Sequence, residues 1–303
     1  GELSVIEQDD TDIGGIHLDE GQLCYIGASP MQVSAAKVRD LDTEHTATIK
    51  QSASLKVDQG YLSHPEAIQF PAIDDETAHA FFYPPTNRDF EAPEGELPPL
   101  LVFMHGGPTS STHSALSLRT QYWTSRGFAI LDINYRGSTG YGRAYRDKLL
   151  MNWGIVDVED TVHGVKFLVD QGLVDGEKTA IRGGSAGGFT VLAALTFEDT
   201  FKAGASLYGI GDLETLARDT HKFESRYLDS LIGPYPEEIE RYKKRSPINH
   251  TEQLTGAVIF FQGLEDNVVP PNQAEAMVDA LDKKGLPCAY VPFEGEQHGF
   301  RRA

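Results

Sequence analysis

The chain has 303 residues, 40% hydrophobic and 23% charged, which is ordinary globular composition with material for one large core or two modest ones. Its formal net charge of -19 opposes binding to polyanions and makes nucleic acid an unsuitable ligand. The sequence shows no apolar run of about 18 residues and no basic-then-apolar leader, so neither a membrane span nor a secretory signal is expected.

Residues 1–60 differ in pattern from the rest of the chain. Short β-like runs at 23–26 and 34–38 alternate with acidic turns, and no helical periodicity is present. Further strands at 67–70 and 79–83 lead into a proline-rich, acidic loop at 84–99. We therefore predict a β-rich segment over residues 1–60 and a second domain over residues 61–303.

After that loop, strand and helix patterns alternate to the end of the chain. The alternation predicts a mostly parallel central sheet with helices on both faces, with ligands bound at the carboxyl ends of the strands. The predicted strands are 100–104, 128–133, 178–182, 203–208, 257–262 and 288–293, and the predicted helices are 114–126, 156–171, 186–196 and 272–284.

A G-x-S-x-G pattern falls between a predicted strand and a predicted helix, with Ser185 flanked by Gly183 and Gly187. The pattern alone also fits a simple turn with an exposed serine. Its position favours a nucleophile elbow, in which a tight turn exposes the serine hydroxyl above a sheet. The amide of Ala186, at the start of the helix, is then the first predicted oxyanion donor.

A serine nucleophile needs a base and a carboxylate that orients the base, and in this kind of fold the order is serine, acid, histidine. Asp266 follows the strand at 257–262, and His298 follows the last strand. Glu265 and Asp212 are the alternative acids, and Asp266 could also be only a turn former. His298 could be an ordinary loop histidine, but its place after the last strand favours the base.

The second oxyanion donor is expected in the loop 105–108, which follows the predicted strand 100–104 and contains two glycines. A simple turn is the alternative. His105 has no partner at metal-ligand spacing, so we interpret it as a structural histidine bonded to the backbone. The loop 134–142 lacks phosphate-loop spacing and is predicted to be a rigid loop beside the site.

Together these motifs resemble the prolyl oligopeptidase family of serine peptidases, most closely its acylaminoacyl-peptidase and dipeptidyl-aminopeptidase branch. The resemblance covers residues 61–303 and implies an α/β-hydrolase fold. It further implies a triad of Ser185, Asp266 and His298, with the amides of Gly107 and Ala186 as the oxyanion hole. The motifs are HGGP at 105–108, NYRGSTGYG at 134–142, GGSAGG at 183–188, GLEDNVVPP at 263–271 and EGEQHGF at 294–300.

In the resembled family, a β-propeller precedes the hydrolase domain and a final helix follows the catalytic histidine. Residues 1–60 are too few for a propeller and resemble the end of one blade plus a linker. Only three residues follow Phe300. We therefore expect an excised segment of a longer protein, with a truncated propeller at one end and the last helix missing at the other.

Some family members carry a substrate-clamping Arg or Asn two positions after the catalytic aspartate, where this chain has Val268, which disfavours endopeptidase-like anchoring. Val269, Phe223 and Tyr227 are candidates to line the pocket for the residue before the cut bond, and Glu224 is a candidate to meet a free amino terminus. For the last three, packing or a solvated helix face is the competing interpretation.

The first functional hypothesis is a serine exopeptidase that cleaves short peptides near the amino terminus through an acyl-enzyme, as an aminopeptidase, dipeptidyl-peptidase or acylaminoacyl-peptidase. A carboxylesterase of the same fold is the alternative. A non-catalytic interaction domain is disfavoured because no triad member is missing. No metal or cofactor is expected, nor a nucleic-acid or membrane partner, and assembly into a homo-oligomer stays open. Cys24 and Cys288 form no C-x-x-C pattern, so a cytoplasmic location fits best.

Overall fold

The structure, a computed structural model, describes residues 5–219 and 225–302, which form two compact units. The first unit comprises the described residues of Gly1–Glu66, Tyr83–Glu91 and His113–Phe128, and the second those of Ala67–Phe82, Ala92–Thr112 and Ala129–Ala303. The domain boundary after residue 60 stays a prediction.

The first unit is built on a four-stranded antiparallel sheet in the order β1-β2-β3-β4. Glu20 and Gly21 connect β1 to β2 with φ of 42° and 76°, the positive values that a tight two-residue hairpin needs. The unit also contains helix α1, Leu118–Thr124, whose first turn is capped by Ser117. The strands are Asp12–Asp19 (β1), Gln22–Ser29 (β2), Gln32–Asp40 (β3) and Thr46–Gln51 (β4).

The second unit is built on an eight-stranded sheet in the order β12-β11-β10-β9-β7-β8-β6-β5. Every neighbouring pair from β12 to β8 is parallel, so the predicted mostly parallel sheet is confirmed. Parallel strands place their carboxyl ends along one edge, and that edge carries the candidate site. The strands are Glu66–Pro71 (β5), Thr77–Tyr83 (β6), Pro99–Met104 (β7), Ala129–Asn134 (β8), Asp175–Gly184 (β9), Ala203–Leu207 (β10), Ala257–Gly263 (β11) and Cys288–Phe293 (β12).

Helices connect these strands and pack on the sheet. Helix α4 contacts β9 and β10, α3 contacts β8 and β9, and α8 contacts β11 and β12. Residues 186–196 of α4 are all buried, as expected of a helix that is apolar on every side. The helices are Arg143–Arg146 (α2), Val156–Asp170 (α3), Ala186–Phe197 (α4), Leu213–Asp219 (α5), Tyr227–Leu231 (α6), Ile239–Arg245 (α7) and Asn272–Lys284 (α8).

The predicted elements differ from the structure mainly between β10 and β11. No helix was predicted there, whereas α5, α6 and α7 and a 3₁₀ segment at Pro247–Gln253 occupy this stretch. Helix α1 is shorter than the predicted 114–126 because Ser117 caps it. Within the described ranges, no helix combines the length and apolar character needed to cross a bilayer.

Candidate active site

Ser185 occupies the turn between β9 and α4. Its backbone has φ 57° and ψ −124°, a combination that a residue with a side chain adopts only when its surroundings impose it. The turn breaks the strand abruptly and starts the helix at the next residue. The hydroxyl is thereby held at the carboxyl edge of the parallel strands, as the elbow interpretation requires.

Gly183 and Gly187 flank Ser185 because there is no room for side chains at these positions. A Cβ on Gly183 would lie 2.5 Å from the backbone of Gly187, and a Cβ on Gly187 would lie 2.5 Å from the carbonyl oxygen of Met104. Such separations are far below van der Waals contact. The two glycines therefore let α4 start directly against β7 and β9, which fixes the position of the serine between them.

Asp266, His298 and Ser185 form a hydrogen-bonded chain. The Nε2 atom of His298 lies 2.9 Å from the Oγ atom of Ser185, and its Nδ1 atom lies 2.8 Å from Oδ2 of Asp266. Because an ionised carboxylate only accepts, Nδ1 carries the proton and Nε2 is left to accept from the serine hydroxyl. This is the tautomer that a general base for Ser185 needs.

The carboxylate of Asp266 is itself held in place. Its Oδ1 atom accepts hydrogen bonds from the amides of Val268, at 2.9 Å, and Val269, at 3.0 Å, and its side chain has no exposed surface. With one oxygen bound to two amides and the other to His298, the carboxylate has a single orientation. Because two backbone amides donate to this one oxygen, position 266 requires a side chain that has an acceptor atom at the same place.

The alternative acids lie elsewhere. Asp212 caps α5, where its Oδ1 accepts from the amides of Glu214 and Thr215 at 2.9 and 3.2 Å. Glu265 is exposed. Of these three carboxylates, only that of Asp266 is brought to His298.

Two further groups position His298. The ring of Tyr208 packs edge-on against it, with centroids 4.8 Å apart. Glu296, buried in the same loop, accepts from the amides of Arg301 and Arg302 at 3.0 and 2.7 Å. These amide bonds hold the pKa of Glu296 below its usual range, so it stays ionised and closes the loop around the histidine. Neither residue was predicted, since a tyrosine and a loop glutamate carry no distinctive sequence pattern.

The loop 105–108 lies directly against the elbow. A Cβ on Gly106 would lie 3.0 Å from the carbonyl oxygen of Gly184 and 3.4 Å from Cβ of Ser185. Gly107 has a φ of 125°, which only glycine adopts readily, and it lines the pocket next to Ser185 together with Ala186. The structure thus brings together both predicted oxyanion donors and the serine, while their hydrogen bonds to a substrate stay a prediction.

Three side chains hold this loop. His105 bonds the carbonyl oxygen of Gly106 through Nδ1 at 2.8 Å, and its ring stacks on Tyr135 with centroids 4.4 Å apart. Tyr135 donates to the carbonyl oxygen of Pro108 at 2.7 Å. Tyr227 reaches the next residue, donating to Oγ1 of Thr109 at 2.7 Å and accepting from its amide at 3.2 Å. His105 therefore has the backbone bond that its structural interpretation predicts.

An apolar pocket opens beside Ser185. Val269 and Tyr227, both predicted to line such a pocket, do line it. Phe223, also predicted to line the pocket, and Glu224, predicted to meet a free amino terminus, lie outside the described residues. The other lining residues were not predicted, because they come from loops and helices that only the fold brings together: Trp153, Ile210, Leu216 and Leu228, with Val268 at the same face.

A cluster of buried charges supports the loop 134–142. The Nη2 atom of Arg136 lies 2.8 Å from Oδ1 of Asp160 and 3.1 Å from Oε2 of Glu159. Burial raises the pKa of Asp160, and the hydrogen bonds from Arg136 partly offset this. The ion pair is almost inaccessible to solvent, so it fixes this loop, in agreement with the predicted rigidity.

Asp157 is a second buried carboxylate close to the pocket. It accepts from the Thr190 hydroxyl and the Gly154 amide, both at 2.6 Å. Burial raises its pKa to about 6, despite these two stabilising hydrogen bonds. Across residues 5–219 and 225–302, no three His, Cys, Asp or Glu side chains are grouped as a metal site would require.

The sheet order, the turn at Ser185 and the hydrogen-bonded Ser–His–Asp chain together define the α/β-hydrolase fold. Within that class, the model of the prolyl oligopeptidase family matches residues 114–303. The chain belongs to the prolyl oligopeptidase family.

Known proteins of this family are similar over most of the chain. A solved puromycin-hydrolysing peptidase of Mycobacterium tuberculosis is 44% identical with a TM-score of 0.97, covering 99% of this chain and 46% of that one. The acylaminoacyl peptidase of Pyrococcus horikoshii is 27% identical with a TM-score of 0.86, covering 97% of this chain and 47% of that one. Dipeptidyl aminopeptidase BIII of Pseudoxanthomonas mexicana is 30% identical over 210 residues, 67% of this chain and 30% of that protein. The chain spans less than half the length of these relatives.

Proposed function

We propose that the protein is a serine exopeptidase that cleaves short peptides near the amino terminus through an acyl-enzyme, with Ser185 as nucleophile, His298 as base and Asp266 as the residue that orients the base. The observation that carries this proposal is the hydrogen-bonded chain from Ser185 to Asp266, with both distances below 3 Å. Such a chain provides a nucleophile, a proton acceptor and a fixed tautomer at once.

The proposed reaction has two halves. Oγ of Ser185 bonds to the scissile carbonyl carbon while its proton passes to Nε2 of His298, and the carbonyl oxygen becomes an oxyanion facing the amides of Gly107 and Ala186. His298 then gives the proton to the leaving amine as the C–N bond breaks. Water next attacks the ester, losing a proton to His298, and the acid product leaves as Ser185 regains its hydrogen.

The pocket beside Ser185 supports an apolar residue on the acyl side of the cut bond. Its lining includes Val269, Ile210 and Leu216, and Trp153 closes it as a buried ring that is 1% exposed. Burying an apolar side chain there would stabilise binding by about 1.5–3 kcal/mol. We propose that aromatic and branched aliphatic residues are preferred at this position, with Tyr227 as one wall.

Three properties support the finer parts of the proposal. The relatives are named a puromycin-hydrolysing peptidase, an acylaminoacyl peptidase and a dipeptidyl aminopeptidase, and these names support substrates cleaved close to the amino terminus. The net charge of -19 supports peptide rather than nucleic-acid ligands. Cys24 and Cys288 are both free thiols, which supports the proposed cytoplasmic location.

Hydrolysis rates on matched substrates test this function. We expect turnover of p-nitroanilides of free or acetylated aromatic amino acids and of puromycin, and loss of at least about 10³-fold in kcat in the Ser185→Ala variant. Short-chain p-nitrophenyl esters serve as the comparison. Hydrolysis of the esters without any anilide would contradict the peptidase proposal and favour a carboxylesterase. A folded protein whose Ser185 resists a fluorophosphonate probe would contradict catalysis altogether.

A further inference from the structure

A second cavity lies in the same unit and shares no lining residue with the pocket beside Ser185. Its volume of about 720 Å³ falls in the range of small-molecule sites, roughly 300–1,000 Å³. The start of α3, the end of α4, helix α7 and the segment Pro247–Gln253 enclose it. We call it the α7 cavity.

One side of the α7 cavity is cationic. Lys244 makes no hydrogen bond or ion pair with any described residue. Arg245 donates to two backbone carbonyl oxygens, of Trp153 and Met151, both at 2.9 Å, and so keeps its full charge. The third cation, Arg241, is paired with Glu238 at 3.4 Å. Glu240, the acidic lining residue on the same helix, is paired with Lys243 at 3.1 Å, which lies outside the lining. Two of the three positive charges in the lining therefore lack a carboxylate partner among the residues that the structure describes.

The other side is acidic. Glu198 directly follows α4, and its carboxylate has no hydrogen bond or ion pair within the described chain. Burial raises the pKa of Glu198, and the neighbouring charges of Asp199 and Glu159 raise it further, while His163 partly offsets them. The carbonyl end of α4 adds partial negative charge at this point. A bound cation would reduce the electrostatic repulsion of Glu198 by Asp199 and Glu159.

The floor between the two sides is apolar. Ile155, Val158 and Phe197 contribute to the lining, and the ring of His250 packs edge-on against Phe197 with centroids 5.3 Å apart. An apolar side chain of a ligand would be removed from water on this floor.

We propose that the α7 cavity binds a short peptide with free termini, at a site separate from the active site. Its carboxylate lies at Lys244 and Arg245, and its ammonium group lies at Glu198. An apolar side chain rests on Ile155 and Val158.

Charge complementarity selects this occupant over simpler ones. A plain anion would pair only with Lys244 and Arg245, and a plain cation would pair only with Glu198. A polyphosphate would face the acidic side with several negative charges and be repelled. Only a ligand with one charge of each sign, separated by polar backbone, matches both sides and the floor.

The α7 cavity and the active-site pocket share a wall. Trp153 lines the active-site pocket, the next two residues line the α7 cavity, and Arg245 bonds the carbonyl oxygen of Trp153. The chain has two tryptophans, so a change around Arg245 is expected to alter a large share of the fluorescence. Peptide binding thus has an optical readout that does not depend on catalysis.

Titration of the protein with the dipeptide Ala-Phe tests the proposal, by calorimetry and tryptophan fluorescence. With Ser185 blocked by a fluorophosphonate, we expect one peptide bound per chain, and at least about tenfold weaker binding of N-acetyl-Ala-Phe-amide, which lacks both charges. Lys244→Met and Glu198→Gln should each weaken Ala-Phe binding about tenfold. Lys202→Met and Asp279→Asn, which remove the same kinds of charge outside the lining, should change it less than twofold.

Three results would overturn the proposal: no saturable binding, binding that disappears once Ser185 is blocked, or equal effects of the lining and control variants. The catalytic proposal fails separately, through an unreactive Ser185. In that case the same titration with unmodified protein and the four variants still decides whether the α7 cavity binds the peptide.

Discussion

Replacing Asp266 with asparagine tests the proposed triad most sharply, because the structure dictates how the new side chain would sit. Oδ1 accepts from the amides of Val268 and Val269, so the asparagine oxygen must remain there. Its NH₂ group then faces Nδ1 of His298, where the carboxylate now lies at 2.8 Å. The histidine is forced to accept at Nδ1 and to carry its proton on Nε2, which can no longer take a proton from Ser185.

We expect kcat of Asp266→Asn to fall roughly 10⁴-fold, about 5 kcal/mol of transition-state stabilisation, with KM changed only a few-fold. Initial rates on a p-nitroanilide substrate measure both constants, and a thermal melt checks folding. The matched control is Asp212→Asn, which keeps an acceptor oxygen for the amides of Glu214 and Thr215 and should change stability by less than about 0.5 kcal/mol while kcat stays within about threefold. If Asp266→Asn keeps a tenth of the kcat of the unmodified protein, or if Asp212→Asn loses more kcat than Asp266→Asn does, the proposed roles are wrong.

Three further predictions concern the elbow, a buried acid and the loop. Gly187→Ala places a Cβ 2.5 Å from the carbonyl oxygen of Met104 in β7 and should lower the free energy of unfolding by more than about 2 kcal/mol. The control Gly14→Ala, at a position with open space around it, should lower it by less than about 1 kcal/mol. Similar thermal melts for the two variants would refute the packing argument. The pKa of Asp157 is about 6 in the folded protein, so its contribution to stability is complete below about pH 4 and falls by about 3 kcal/mol as pH rises to about 6. Denaturant titrations at several pH values should show this fall for the unmodified protein and not for Asp157→Asn. The same pH dependence in Asp157→Asn would assign the fall to another group. Tyr227→Phe removes two hydrogen bonds to Thr109 and should lower kcat/KM about tenfold with little change in melting temperature; unaltered kinetics would show that the loop does not need them.

The sequence predicted the parts of the fold that depend on local patterns. The buried parallel strand β7 is a continuous apolar run, β8 is mainly apolar, and α8 has a clear apolar face, so each was found near its true bounds. No helix was predicted in the stretch between β10 and β11. Its helices α5, α6 and α7 span only five to seven residues each, too short for a periodic pattern to stand out.

The same distinction applies to the candidate site. Ser185, Asp266 and His298 were predicted because each follows a strand in an order that the chemistry requires, and the structure brings them within hydrogen-bonding distance. Trp153 was missed because it lies in a loop with no motif and reaches the pocket only through tertiary packing. Asp157 was missed because an acid in the first turn of a helix looks like a solvated residue favoured by the helix dipole.

The backbone of Ser185 also has an evolutionary meaning. A side chain at φ 57° and ψ −124° costs on the order of 1–3 kcal/mol that glycine would avoid, so the proposed nucleophile is also a source of instability. Selection for a more durable protein would favour glycine at this position, and selection for turnover opposes it. Ser185→Gly is therefore expected to raise the free energy of unfolding while it removes the hydroxyl that the proposed reaction needs, so stability and the proposed chemistry are opposed at one backbone position.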